Sequence, residues 1–142
     1  MITPLKVKRL PFFDSFEDPL VKAILPYFTA KAYADGETIL QQNKINTQLY
    51  FLAAGTVAVE IDGKLVVELD KVGEVFGEMS LANHSTCSAT VKARGACEFL
   101  VFNFEEMRKG IDVSVRETVL KNFYKGAMEI LAAKLLATNK RG

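Results

Sequence analysis

The sequence predicts a mainly β protein, a closed or sandwiched β-roll flanked by helices, folded as one domain. Three observations carry this. Asp62-Gly63 separates two strand-like runs, Thr56–Ile61 and Lys64–Leu69. Asp-Gly supplies the positive φ that a type I′ turn needs at both positions, which makes it a strong hairpin signal. Further short apolar runs in the middle of the chain are punctuated by Gly and Asn, as in closed or sandwiched β architectures. Both ends of the chain instead repeat apolar residues at spacings of three and four, the period of a helix face.

The expected division is 1–30 for N-terminal helices, 31–104 for the roll and 105–142 for C-terminal helices. The first helical region is read over about Leu10 to Ala34. Asp14 or Ser15 is the expected cap, and Glu17 and Asp18 fall in the first turn. Leu20, Ala23, Ile24, Tyr27 and Phe28 form its apolar face, and Pro26 should kink or end it. Strand-like runs follow at Thr38–Leu40, Leu49–Leu52, Thr56–Ile61, Lys64–Leu69, Ala89–Ala93 and Cys97–Phe102. Asn43 is placed in a turn because asparagine tolerates the left-handed conformation. A short helix over Glu105–Lys109 should stop at Gly110. A long helix should start at Ser114, where Glu117 three residues on completes a capping-box pattern. Val119, Leu120, Phe123, Ala127, Ile130, Leu131, Leu135 and Ala137 make its apolar stripe. That stripe either packs along its own domain or is partly exposed as a dimer seam. The seam is preferred, because it is longer than one small roll can cover.

Composition excludes several classes. The chain has 142 residues, 49% hydrophobic and 25% charged. That balance is ordinary for a globular fold, and a chain of this size needs no staples. A net charge of +1 argues against a nucleic-acid surface, which usually carries a basic stripe. Lys6, Lys8, Arg9 and Lys22 near the start, and Lys134, Lys140 and Arg141 near the end, read as solvated termini. Two cysteines, Cys87 and Cys97, read as reduced thiols in a cytoplasmic protein. The first residues form no apolar signal core, and no run approaches ~18 apolar residues, so no membrane span is expected. One histidine, no metal cluster, no nucleophile elbow and no Walker loop argue against an enzyme.

The residues that carry chemistry are Phe76-Gly77-Glu78-Met79-Ser80-Leu81 and, just beyond, Cys87-Ser88-Ala89-Thr90-Val91. Together they read as a cradle for a phosphate and a ribose: a glycine, a carboxylate, then small hydroxyl-bearing residues with available amides. Ser80 to Asn83 are expected to form a helical turn whose amides face an anion. Gly77 serves a backbone approach to ligand, a turn, or both.

These runs fall in order with Gly36-Glu37-Thr38-Ile39, Tyr50-Phe51-Leu52-Ala53-Ala54-Gly55 and Gly73-Glu74-Val75-Phe76-Gly77-Glu78. The pattern resembles the cyclic nucleotide-binding domain family over nearly the whole chain. The resemblance implies a double-stranded β-helix, or jelly roll, that binds cAMP or cGMP as a regulatory ligand and needs no other cofactor. It implies that Glu78 accepts from the ribose 2′-hydroxyl and that Ser88 and the Ala89 amide meet the phosphate, with Phe76, Met79 and Ser80 in the same cassette. Leu131–Asn139 is similar to the long helix of bacterial catabolite-activator-type regulators. There Thr138 and Asn139 fall on two polar residues that reach the purine, although Thr-Asn also reads as a helix stop. In such regulators a helix-turn-helix follows. Here Lys140-Arg141-Gly142 follows, so the chain is either a stand-alone sensory domain or lacks an output domain.

Cys87 departs from the family, which places an arginine there. A thiol cannot offer a phosphodiester the bidentate fork of a guanidinium. Losing a charged partner typically costs about 2–5 kcal/mol. Lys92 and Arg94 share parity with Thr90 and are expected to point outward, away from the apolar Ala89-Val91-Ala93 face. His84 lies in the loop before Cys87 and is read as solvated. His84 and Cys87 alone do not make a metal site, and Cys87 as a redox sensor would need a lowered pKa. The expected partners are a cyclic nucleotide or other small anionic ligand and a second copy bound through the C-terminal helix, with no membrane and no direct nucleic acid. The rival readings are a degenerate module that binds no cyclic nucleotide and serves docking or dimerisation, and a DNA-binding regulator whose output domain lies elsewhere.

Overall fold

The computed structural model describes residues 2–77 and 86–141, with α4 side chains given up to residue 130 and at 132, 133 and 136. Among the described residues four α-helices and six strands follow one another: α1 (Pro4–Lys8), α2 (Asp18–Ile24), β1 (Phe28–Tyr33), β2 (Thr38–Leu40), β3 (Gln48–Ile61), β4 (Lys64–Leu69), β5 (Val75–Phe76), β6 (Thr90–Asn103), α3 (Phe104–Gly110) and α4 (Val113–Arg141). All strand pairs are antiparallel. The order is β1-β6-β3-β4, with β2 on β6 and β5 on β3. The mainly β fold with flanking helices is the expected one.

Four expectations are corrected. The first helical region ends early. Pro26 stops α2 at Ile24, a 3-10 turn covers Leu25–Tyr27, and the chain enters β1 at Phe28, ahead of the expected border at Lys31. Asp14 and Ser15 do not cap α2; Glu17 occupies that position without a side-chain cap. The long helix starts at Val113, and the Asp112 carboxylate accepts from the Ser114 amide at 2.9 Å. Those hydrogen bonds hold the Asp112 carboxyl below its ordinary value. The runs split at Gly55 and Gly95 are two unbroken 14-residue strands, with register shifts around Ala54. A glycine inside a strand here marks a bulge and not an end. Other turns are where the sequence puts them: Asp62 and Gly63 have φ of 51° and 78°, and Asn43 has 69°.

Side chains alternate across a strand, and in β3 and β6 both faces are buried. Leu49, Phe51, Leu100 and Phe102 face the helices. Tyr50, Leu52, Val57, Val91, Ala93, Phe99 and Val101 face the interior of the roll. On the helix side, Phe12, Phe13, Phe16, Phe28, Phe51, Phe102 and Phe104 gather with Phe123 of α4, whose ring stacks on Phe102 at 4.8 Å. The first part of the α4 stripe is thus spent inside its own domain: Val119, Phe123 and Ala127 are buried. Leu120 and Ile130 pack against the same cluster. At Gly126 a Cβ would stand 2.6 Å from the Phe12 ring, so its absence lets the helix dock directly on that ring. Leu131, Leu135 and Ala137 lie outside the described side chains.

Candidate ligand cavity of the roll

The roll interior keeps a cavity of about 210 Å³. Leu40, Val59, Val67, Leu69 and Val91 wall it, contributed by β2, β3, β4 and β6. Its other boundary is made by Phe76, Gly77, Cys87, Ser88 and Ala89. Five of the residues singled out in the sequence therefore meet at one cavity. Glu78, Met79 and Ser80 lie outside the described residues, as does His84; Thr138 and Asn139 sit in α4, outside the described side chains. The aliphatic walls were not singled out as site residues, because they become neighbours only through long-range strand pairing. The alternation in Thr56–Ile61 and Lys64–Leu69 was the signal that could have found them.

Local structure fixes both polar segments. β5 pairs with β3 through Tyr50↔Phe76, which delivers Gly77 to the rim. Gly77 has φ of 83°, and a Cβ there would run into the Asn46 side chain and the Gln48 carbonyl. Asn46 is itself held there, its Nδ2 donating to the Gln48 carbonyl at 2.6 Å. The glycine is thus required by protein packing as well as by any approach to ligand. Across the cavity, the Cys87 amide donates to the Lys44 carbonyl at 2.9 Å, and its carbonyl accepts from the Asn43 amide at 2.8 Å. The Cys87 backbone is therefore committed to the 41–46 turn. Among the described residues, the Ser88 and Ala89 amides have no hydrogen-bond partner.

No lysine or arginine lines the cavity among the described residues. Lys92 pairs with Glu60 at 3.2 Å and Arg94 with Glu68 at 2.7 Å, on the outward parity expected from the sequence. Beside the cavity, the buried Tyr50 hydroxyl lies next to Tyr33 and donates to Gln48 Oε1 at 3.4 Å. Burial above all, then Tyr33 and Cys87, push the Tyr50 hydroxyl up to about 12, so it stays protonated. Neither Cys87 nor Cys97 is in a disulfide. Among the described residues no helix is long and apolar enough to cross a membrane.

The cyclic nucleotide-binding domain model matches residues 30–113, more than half of the chain. A cAMP-dependent protein kinase type II regulatory subunit from Drosophila melanogaster is 33% identical over 59% of this chain and 25% of that protein. A cGMP-dependent 3′,5′-cGMP phosphodiesterase A from Dictyostelium discoideum is 39% identical over 70% of this chain and 11% of its own length. The Cyclic AMP receptor protein of Thermus thermophilus is 31% identical over 70% of this chain and 48% of its own length. The chain thus spans from about a tenth to about half of these relatives. The solved Catabolite Activator Protein of Thermus thermophilus superposes with a TM-score of 0.71 at 26% identity, over 92% of this chain and 61% of that one. The N-terminal domain of a transcriptional regulator from Streptomyces coelicolor A3(2) shares the fold with a TM-score of 0.71 at 20% identity, over 96% and 94%. The sheet, the cavity and the family model coincide on the same residues, and the chain belongs to the cyclic nucleotide-binding domain family.

Proposed function

We propose that this chain is a non-enzymatic regulatory module that senses a cyclic nucleotide, cAMP or cGMP, in the roll cavity and relays its presence through α4. The observation that carries this reading is the meeting of Phe76-Gly77 with Cys87-Ser88-Ala89 around one cavity, opposite an aliphatic wall. The Ser88 hydroxyl and the Ser88 and Ala89 amides are donors for a phosphate, and the leucines and valines suit a base. Glu78 would take the ribose hydroxyl, and Thr138 and Asn139 would reach the purine. Ligand shifts α4 only by binding its two arrangements with different affinity. A second copy docked along α4 completes the proposal, supported by Met128 and Leu136, which are 68% and 62% exposed beyond the buried start of the stripe. A cytoplasmic location fits two cysteines that form no disulfide.

One observation favours a second reading, a degenerate module that docks partners and binds no cyclic nucleotide. Cys87 stands in the guanidinium position, and the nearby cations Lys92 and Arg94 are engaged by Glu60 and Glu68. Calorimetric titration of cAMP and cGMP into the unmodified chain and into Cys87→Arg separates the two. Micromolar binding by the unmodified chain supports the sensor. Binding by the variant alone, with a gain of about 30-fold to several thousand-fold, transfers the function to docking. Light scattering tests the dimer, and a monomer at tens of micromolar removes it.

A further inference from the structure

Among the described residues the roll cavity is lined by no charged side chain of either sign. The strands that wall it do carry Glu60, Glu68, Lys92 and Arg94, but these cancel in pairs, Lys92 with Glu60 and Arg94 with Glu68. Near Cys87 the buried Tyr50 hydroxyl, pushed up to about 12, stays protonated and neutral. Residues 78–85 contain no lysine or arginine. A thiol at position 87, unlike a guanidinium, carries no permanent charge.

The cavity therefore offers neutral donors on one side and hydrocarbon on the other. The Ser88 hydroxyl and the Ser88 and Ala89 amides belong to its boundary, and those amides have no hydrogen-bond partner among the described residues. The leucines and valines of β2, β3, β4 and β6 face them. An anion gains roughly twice as much from such a donor as a neutral oxygen does. It also loses far more on leaving water for an apolar wall, a loss that a paired charge normally offsets. With no paired charge, the gain and the loss oppose each other.

On the sensor reading above, on which this rests, we infer that the cavity recognises a cyclic phosphate as a hydrogen-bond acceptor and not as a charge, so that its ligand class extends to uncharged cyclic phosphate esters. Ser88 and Ala89 read the phosphoryl oxygens, which an ester keeps. Cys87 is the residue that sets this specificity: it stands at the boundary, held by its backbone bonds to Asn43 and Lys44, where a guanidinium would tell an anion from its neutral ester. Affinity is then set by shape and neutral donors, and salt has little to screen.

The test is calorimetry on the whole 142-residue chain at about pH 7.4, where an ordinary histidine and an ordinary cysteine are both mostly uncharged. The ligands are cAMP, cGMP and the phosphate methyl ester of each, in both phosphorus configurations. In the unmodified chain at least one ester should bind within about tenfold of its parent. Raising sodium chloride from about 20 to about 500 mM should lower the parent's affinity by less than about threefold. In Cys87→Arg the preference for the anion over its ester should rise at least about 30-fold. Unchanged thermal melting verifies that variant's fold, and the ester and salt comparisons on the unmodified chain do not depend on it. Charge-blind recognition is overturned, with the sensor reading left standing, if the parent binds and every ester is weaker by more than about tenfold, or if salt lowers the parent's affinity by more than about threefold. A folded Cys87→Arg that gains no preference for the anion overturns the role given to Cys87. Binding of an ester without its parent supports charge-blind recognition and removes the charged nucleotide as ligand. Absence of binding by every ligand overturns both.

Discussion

The two faces of the sheet use the same strands for opposite ends. The helix-facing side is filled with rings, and Phe13, Phe16, Phe51, Phe102 and Phe123 are fully buried. The roll-facing side is lined mainly by leucine, valine and alanine, with a few rings, and leaves about 210 Å³ open. Aromatic rings bury large areas and lock in edge-to-face geometry, so the part of the first face beneath the helices is a closed core. Aliphatic walls with one open boundary make a recess. On the proposed function, stability and ligand recognition fall mainly on opposite sides of one backbone.

The sharpest way to break this division is Phe123→Ala. It removes the ring that meets Phe12, Phe13, Phe16, Phe102 and Phe104, and should cost about 3–5 kcal/mol in urea unfolding. Under conditions where the variant is folded, affinity at the roll cavity should hold, and a collapse of affinity would join the two faces. Gly77→Ala should act on both sides of the rim. A left-handed alanine costs about 1–2 kcal/mol, and the Asn46–Gln48 contact must also yield. Both melting temperature and ligand affinity should fall. Tyr50→Phe probes the roll face alone. Its hydroxyl titrates at about 12 in the fold, against an ordinary 10.0. The folded chain therefore keeps that proton longer than the unfolded chain. The stabilisation is full below pH about 10 and is lost as pH rises toward 12. The phenylalanine variant should lose this part of the alkaline decline, seen by melting across pH 8 to 11. Asn103→Ala, which removes the α3 cap to the Glu106 amide, should cost about 1 kcal/mol and leave the cavity unchanged.

Much of the fold was legible because local chemistry and the final structure agree. Asp62-Gly63 turns where that dipeptide should, and Leu49–Leu52 reads as an apolar run because both its faces are covered. The strand Phe28–Tyr33 was hidden for a physical reason. Thr29, Ala30, Lys31 and Ala32 are exposed, so they carry no apolar alternation, and Phe28 prolongs the helical spacing before it. Pro26 alone marked the change. Asp112 was missed because Ser114 and Glu117 make a persuasive box two residues later, while the Asp112 side chain reaches the Ser114 amide first. At the site, Phe76, Gly77, Cys87, Ser88 and Ala89 came from contiguous motifs. Leu40, Val59, Val67, Leu69 and the Tyr33–Tyr50 pair meet through contacts between distant segments; alternation within a strand marks which of them share a face but not which segments come together.

The 14-residue strand β6 has a further consequence. It sends Phe99 and Val101 into one core and Leu100 and Phe102 into the other, while pairing with β1, β2 and β3. A single inserted residue between Glu98 and Asn103 would exchange the two sets at a stroke, putting Phe102 into the roll-side core and Val101 where the rings stack. Lineages of this chain can therefore drift by substitution along β6, but length changes must be confined to its glycine bulge or its ends.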